Sequence, residues 1–310
     1  MTKILTTIFI CISIISFGQE SNNKSSNDIT TTKTNKHLNI PGTRVFIIPP
    51  LGFVTSTKLP AIENGNKAII QAMDLIGGSF YTNAATFSRK KFELKGLKVL
   101  EYKEFKLNKY PAKMVLIQGE SQTKMYNLVF GDSTFSTTVM GVFESNDNET
   151  GIKIKQALQS IYYDKTFEVT PFANSHFKLD DTKSIFKFAK FSTLMYTYSI
   201  NGIIKDSYDN EPYFTVITIP IEGMSLKSIA DFIANMIKVE TTKNISENNT
   251  NGLISFKREV YGKLKGKEIV LFQHVVIIDE SAVIMQGIAD DKFDKYIAEF
   301  EKLSNTVVKK

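Results

Sequence analysis

The sequence predicts an α+β protein of two tandem domains, each an antiparallel sheet packed with helices, behind a signal peptide and a disordered spacer. Three observations predict it. The chain has 310 residues, more than one hydrophobic core usually holds. Apolar residues make up 42% and charged residues 23%, an ordinary globular composition that excludes wholesale disorder, collagen and coiled coil. Finally, the order strand, helix, antiparallel strands, helix is readable twice along the chain.

The first element is residues 1–18. Lys3 supplies a positive start, and Ile4 to Phe17 is almost continuously apolar or small. That run is shorter than the ~20 residues of a membrane-spanning helix, so it reads as a cleavable signal peptide cut after Gly18. Cys11, the single cysteine, follows Ile10 rather than a small residue and is followed by more apolar sequence. It reads as filler inside the signal, not as a lipidation site. Cleavage leaves a mature chain without thiols, suited to an oxidising compartment. Residues 19–40 are mostly Ser, Thr, Asn and Lys and read as a flexible polar spacer, with His37 exposed in it.

The first domain is expected over 41–167. Residues 42–50 form a strand closed by Pro49 and Pro50, and Ala68 to Met73 is a second short apolar run. Phe80, Ala84, Phe87 and Leu94 lie at helical spacing. Four β-rich runs follow at Leu97–Leu107, Lys113–Gln118, Met125–Phe130 and Phe135–Phe143, each bounded by turn residues. Gly151 to Tyr163 closes the domain as a helix.

The second domain is expected over 168–310. His176–Leu179 and Thr193–Ile200 are strand candidates. Tyr213 to Ile219 reads as a strand buried on both faces and closed by Pro220. A helix with Ser225 as its N-cap runs to Ile237, and Lys243 to Gly252 reads as a polar loop. Strands follow at Leu253–Tyr261, Lys267–Ile278 and Ala282–Ile288, the last two joined by a turn at Asp279 and Glu280. A closing helix spans Asp290 to Val307, with Asp290 and Asp291 favourable to its dipole. Laid side by side, Lys113–Gln118 matches Lys267–Phe272, and Val139–Val142 matches Ile284–Gly287.

This order resembles the PsbP-like fold, together with Tyr110-Pro111-Ala112-Lys113, Leu128-Val129-Phe130-Gly131-Asp132 and Ser160-Ile161-Tyr162-Tyr163-Asp164. The resemblance covers residues 44–166 and, more loosely, 172–308. That superfamily includes the extrinsic protein of photosystem II, a Ran-GTPase-binding relative and many exported bacterial proteins of unassigned activity. The resemblance implies a binding or assembly role and carries no catalytic set across.

Net charge is +6, but Lys outnumbers Arg 35 to 3. Nucleic-acid readers favour Arg for its bidentate fork, and the lysines here are read as evenly spread among acids, a solvated surface rather than a polyanion site. Gly131-Asp132-Ser133 echoes an esterase nucleophile block but sits in a hairpin turn, and His274 has Leu271, not Asp, three positions before it. The Gly262–Lys267 segment has the wrong spacing for a phosphate loop. His176, Asp180 and Asp181 are too few convergent ligands for a cation, since adjacent strand residues face opposite ways. Asp206, Asp209 and Glu211 lack the calcium-loop alternation.

No catalytic, cofactor-binding or metal-ligating residue is therefore assigned, and no cofactor. The expected function is that of an exported, non-enzymatic cell-envelope protein, periplasmic or secreted, that binds another envelope protein. No nucleic acid and no transmembrane helix in the mature chain are expected. The alternative is a small-ligand binder or hydrolase-type enzyme with its site in an interdomain cleft.

Overall fold

The computed structural model describes residues 28–310 apart from 57–58, 66, 119–121, 174, 194, 205–210, 222, 235–237 and 265. The signal segment 1–18, Cys11 and the Asp206–Asn210 stretch lie outside the described residues. The chain divides into two compact units, one ending at Thr170 and the other starting at Pro171.

The first unit contains β1 (Leu38–Asn39), β2 (Val45–Ile47), β3 (Val54–Thr55), β4 (Ala61–Asn64) and β5 (Ala68–Ile76). Helices α1 (Phe80–Asn83) and α2 (Arg89–Leu94) follow, then β6 (Lys98–Leu107), β7 (Tyr110–Gln118), β8 (Thr123–Gly131) and β9 (Phe135–Glu144). Helix α3 (Asn148–Gln159) and β10 (Tyr162–Tyr163) close it. Seven strands form one antiparallel sheet in the order β3-β4-β5-β9-β8-β7-β6, and β1-β2-β10 form a small second sheet. Asp147 starts α3 by accepting the Thr150 amide at 2.9 Å, a side-chain N-cap. Ile154, Ala157 and Leu158 of α3 are buried with Ile70, Leu128, Phe130 and Val139 of the sheet in one core.

The second unit contains β11 (Phe177–Lys178), β12 (Phe186–Ser192), β13 (Met195–Ile200), β14 (Tyr213–Pro220), α4 (Leu226–Ala234), β15 (Lys238–Thr250), β16 (Leu253–Leu264), β17 (Lys267–Ile278), β18 (Ser281–Ala289), α5 (Phe293–Ser304) and β19 (Val308–Lys309). Its seven-stranded sheet has the order β12-β13-β14-β18-β17-β16-β15, and β11 pairs with β19. The core joins Phe214, Val270, Phe272 and Met285 of the sheet to Tyr296, Phe300 and Leu303 of α5.

The two strand orders are the same: a three-strand meander, helix, a four-strand meander whose last strand returns beside the third, and a closing helix. A further equivalence sits at the closing helices. Gly141 in β9 has no room for a side chain because Ile154 of α3 would lie 2.3 Å from a Cβ. Gly287 in β18 is crowded in the same way by Phe300 of α5, at 2.2 Å. Glycine at this point of each last strand lets the helix approach the sheet backbone.

Several expectations are corrected. Among the described residues 50% lie in strands and 16% in five short helices, so the fold is mostly β and not the α+β, PsbP-like arrangement. The Phe80–Leu94 helix breaks after Asn83, and Ser88 recaps α2 by accepting the Lys91 amide. Lys243–Thr250 is not a loop but part of β15, zipped onto β16 from Lys238↔Lys263 to Thr250↔Leu253. Asn251 and Gly252 both take positive φ there, as a two-residue type I′ hairpin requires, and that turn imposes strand geometry on a segment of weak β-propensity. In three dimensions Lys113–Gln118 of β7 corresponds to β16, not to Lys267–Phe272 of β17, and the glycines place the β9–β18 match one residue off the sequence pairing. Period-2 apolar strands look alike and carry no mark of their rank in a sheet.

The spacer expected over 19–40 is also corrected within the described residues. From Asp28 onward the chain lies on the first unit: Ile29 forms a parallel bridge to Leu107, and the Thr31 hydroxyl donates to the Gln159 carbonyl at 3.2 Å. Lys33 pairs with Asp164 at 3.2 Å and sits 3.5 Å over the Phe46 ring. His37 is buried, with Nε2 2.9 Å from the Ser160 carbonyl and Nδ1 accepting the Thr34 amide. Average composition hid these individual contacts.

Candidate functional site

Two polar networks lie inside the units, one in each. In the first, Asp74 on β5 is almost wholly buried. Its Oδ1 accepts the Thr137 hydroxyl at 2.8 Å and the Tyr163 hydroxyl at 3.0 Å, and Oδ2 accepts the Arg44 amide at 3.1 Å. Burial holds its pKa above the usual carboxylate value against the lowering effect of those bonds. The Tyr163 ring stacks on Phe135 with centroids 4.0 Å apart. Burial also pushes the Tyr163 hydroxyl up, and the nearby Asp74 charge adds to the shift. The donors come from β9, β10 and the turn before β2, so this carboxylate ties the small sheet to the large one.

In the second unit, His274 on β17 is fully buried. Its Nε2 lies 3.3 Å from the Thr250 hydroxyl, which lies 3.1 Å from that of Ser255. Ser255 donates to the Asn248 carbonyl at 3.1 Å. A relay of Nε2–H to Thr250, Thr250 to Ser255 and Ser255 to Asn248 satisfies both hydroxyls, and it leaves Nδ1 as a bare acceptor with no partner. That tautomer is assigned from the network. Burial, helped by Lys257, lowers the imidazole pKa to about 3, so the ring stays neutral. Among the described residues no carboxylate orients Nδ1 as a hydrolase triad requires, and burial in the core denies a substrate access to it. A His and two hydroxyls do converge here, in a place where they brace the β15–β16–β17 corner.

A third contact fixes α4. Arg258, also buried, donates from Nε to Gln273 at 2.8 Å and from Nη1 to Asp231 of α4 at 2.5 Å. Gln273 in turn donates to the Ala230 carbonyl at 3.2 Å. The Lys227 ammonium and the Arg258 guanidinium together hold Asp231 below its usual value.

The residues weighed from sequence are scattered by the fold. His176 lies 3.8 Å from Asp279, while Asp180 closes a local turn onto Thr182 and Asp181 accepts the Phe188 amide. Among the described residues no group of three His, Cys, Asp or Glu stands close enough to hold a metal ion. Asp132 of the Gly131-Asp132-Ser133 turn binds Thr134 and Lys165 at 2.6 Å; the Lys165 contact leads in lowering its pKa to about 2. Gly262–Lys267 joins β16 to β17 as a hairpin. No helix among the described residues is long and apolar enough to cross a membrane.

Sequence reasoning missed Asp74 and Arg258. Each had a signal: a single carboxylate in the apolar run Ala68–Ile76, and one of three arginines inside the strand Leu253–Tyr261.

Exposed apolar side chains stand on loops and helices, as with Leu51, Tyr81, Ile152 and Phe232, and some stand on or beside sheet edges. Around β6, the outer strand of the first sheet, Leu94 is 71% and Leu100 39% exposed. Along β15, the outer strand of the second, Val239 is 46% and Ile245 59% exposed, and Ile254 on β16 is 63% exposed. These are equivalent strands of the two units.

No family model matches the chain, and no curated protein matches its sequence. Among solved structures, the chain is similar to the Pseudomonas aeruginosa immunity protein TplEi of T6SS at 12% identity, over 89% of this chain and 97% of that one, with a TM-score of 0.30. It is similar to the Tle4–Tli4 complex structure at 11% identity, over 89% and 98%, with a TM-score of 0.31. A Pseudomonas aeruginosa protein of unknown function, PA94, matches 44% of this chain and 99% of its own at 10% identity, with a TM-score of 0.31. Likenesses this slight place no residue and no partner in this chain.

Proposed function

We propose that this is an exported, non-enzymatic envelope protein that works by binding a protein partner through its sheet edges. The observation that supports it is the exposure of large apolar side chains on or beside the equivalent outer strands of both units: Leu100 of β6 with Leu94 of the adjoining α2, and Val239 and Ile245 of β15. Open sheet edges offer rows of unpaired backbone groups, and apolar side chains beside them add area that a partner can desolvate. The polar networks are engaged in holding strands and helices together, which fits a scaffold. Export rests on the Lys3 and Ile4–Phe17 pattern.

The test is affinity purification of the tagged, full-length chain from its own envelope fraction, beside an L94D/L100D/V239D/I245D variant. A stoichiometric partner retained by the wild type and lost by the folded variant supports the reading. A wild-type chain that elutes alone, or turnover of a small substrate that maps to its residues, refutes it.

A further inference from the structure

The positive charge of this protein is not evenly spread. Between Phe87 and Lys113 stand nine Lys or Arg against three Glu, an excess equal to that of the whole chain. This stretch is α2 and the outer edge strand β6. The three acids are already engaged: Glu93 with Arg89 at 3.3 Å, Glu101 with Lys155 at 2.8 Å and Lys103 at 3.2 Å, and Glu104 with Lys113 at 3.8 Å. Among the described residues no carboxylate pairs with the side-chain ammonium of Lys90, Lys91, Lys95, Lys98 or Lys106, all of them exposed. Helix α2 buries none of its own residues. It is held beside β6 by contacts such as Arg89 Nη1 to the Val99 carbonyl at 3.3 Å.

The C-terminal end of the β6 edge already accepts a passing chain segment, through the isolated parallel bridge of Ile29 to Leu107. Lys106 is paired with Pro111, which has no amide hydrogen to give. The backbone groups of Lys106 therefore point outward. Asp28 and Ile29 use them: Asp28 Oδ1 accepts the Lys106 amide at 3.1 Å, the Ile29 amide donates to the Lys106 carbonyl at 2.8 Å, and the Ile29 carbonyl accepts the neighbouring Asn108 amide at 2.6 Å. The period of two then turns the backbone of Tyr102 and Glu104 outward as well, up to the bulge between Val99 and Glu101. Among the described residues, no backbone group meets theirs on that side. Lysine on an edge strand is a common guard against random pairing. A guard, however, does not explain Leu94 and Leu100 standing exposed among those lysines.

We infer that the α2–β6 edge of the first unit docks an acidic, extended segment of the partner protein. The segment adds as a strand beside Tyr102 and Glu104, with its carboxylates against Lys90, Lys91, Lys95 and Lys98 and its apolar residues on Leu94 and Leu100. Main-chain pairing supplies affinity in such strand addition, and charge complementarity supplies rate and choice of partner. The inference rests on the partner-binding reading and names the chemistry of the partner. Lysine rather than arginine, which gives point charges and no bidentate forks, favours carboxylates over nucleic-acid bases and phosphates.

The test uses residues 19–310 and fluorescence anisotropy with three probes: a twelve-residue peptide alternating Glu and Val, its Lys-for-Glu counterpart, and a twelve-nucleotide oligothymidine. The acidic peptide should bind, more weakly as salt rises, and the lysine peptide should not. K90E/K91E/K95E/K98E should weaken binding at least tenfold, and a distant charge change, K295E/K302E on α5, should leave it within twofold. Glu104→Pro removes an outward amide and one negative charge. A purely electrostatic contact would tighten, whereas strand addition must weaken.

Binding of oligothymidine as tight as that of the peptide, equal losses in both charge variants, tighter binding by Glu104→Pro, or no binding of the acidic peptide each overturns the inference. In the envelope purification, a partner captured equally by wild type and by K90E/K91E/K95E/K98E removes this inference while leaving the partner-binding reading intact. No partner with either removes both.

Discussion

Gly287→Ala probes how the closing helix of the second unit is seated. A Cβ at Gly287 would lie 2.2 Å from Phe300 Cγ, and 2.3 and 2.5 Å from the ring δ carbons, whereas carbon atoms rest about 3.5–4.0 Å apart. The ring must therefore retreat by more than about 1 Å. It has little room to do so. Phe300 is fully buried, with Phe186 at 4.9 Å, Phe214 at 6.0 Å and Phe272 at 6.3 Å between ring centroids. Overpacking of this kind costs about 1–3 kcal/mol, and a clash with a boxed-in ring belongs at the upper end. With a urea slope of about 2 kcal/mol per M, the midpoint should fall by about 1–1.5 M. Tyrosine fluorescence and circular dichroism in urea provide the assay. Phe300→Ala removes the clashing atoms, so in that background the new methyl group should cost nothing or even stabilise by filling part of the cavity. A midpoint that does not move, or the same loss in both backgrounds, would refute the account of how α5 meets the sheet.

Further predictions concern the buried polar groups and the amino terminus. His274 has its folded pKa lowered to about 3 from an unfolded value near 6.5. The unfolded chain then binds the extra proton between those values, so stability is lost as pH falls from about 6.5 toward 3, at up to ~1.4 kcal/mol per pH unit. His274→Phe should flatten that stretch of a stability-versus-pH curve, and an unchanged slope counts against it. Asp74 is shifted the other way, so its contribution is present below the unfolded carboxylate pKa and declines as pH rises through the raised value. Asp74→Asn should remove that decline. Asp74→Ala leaves three donors buried without their acceptor and should cost about 3–5 kcal/mol; a loss under 1 kcal/mol would mean the small sheet is not tied down by this carboxylate. Mass measurement of the chain isolated from its envelope should give an amino terminus at Gln19, and an intact Met1 on a soluble cytosolic form would remove the export reading.

Reading the candidate site from sequence failed in an instructive way. The lysines, read from sequence as evenly spread, are in fact concentrated over 89–113, and their meaning depends on β6 being the last strand of its sheet. A central strand of the same composition would have its backbone groups paired and its flanks covered. Asp74 and His274 looked like isolated polar residues in apolar runs. Their direct partners, Thr137 and Tyr163 for one and Thr250 for the other, arrive from 24 to 89 positions away, beyond any local pattern.

By itself the sequence determined the turns at Asp132 and Asp279, most of the strands of both large sheets and the two closing helices. These follow from local rules: periodicity, turn residues and end-capping act within a few residues. Only the tertiary structure decided that the chain is mostly β, that Lys243–Thr250 is a strand, and that the segment after Asp28 lies on the first sheet. It alone also placed α2 and β6 at an open edge. In those places intrinsic preference is weak. Pairing with a neighbour, through a hairpin turn such as Asn251-Gly252 or an unfilled edge such as that of β6, supplies the hydrogen bonds that choose the conformation.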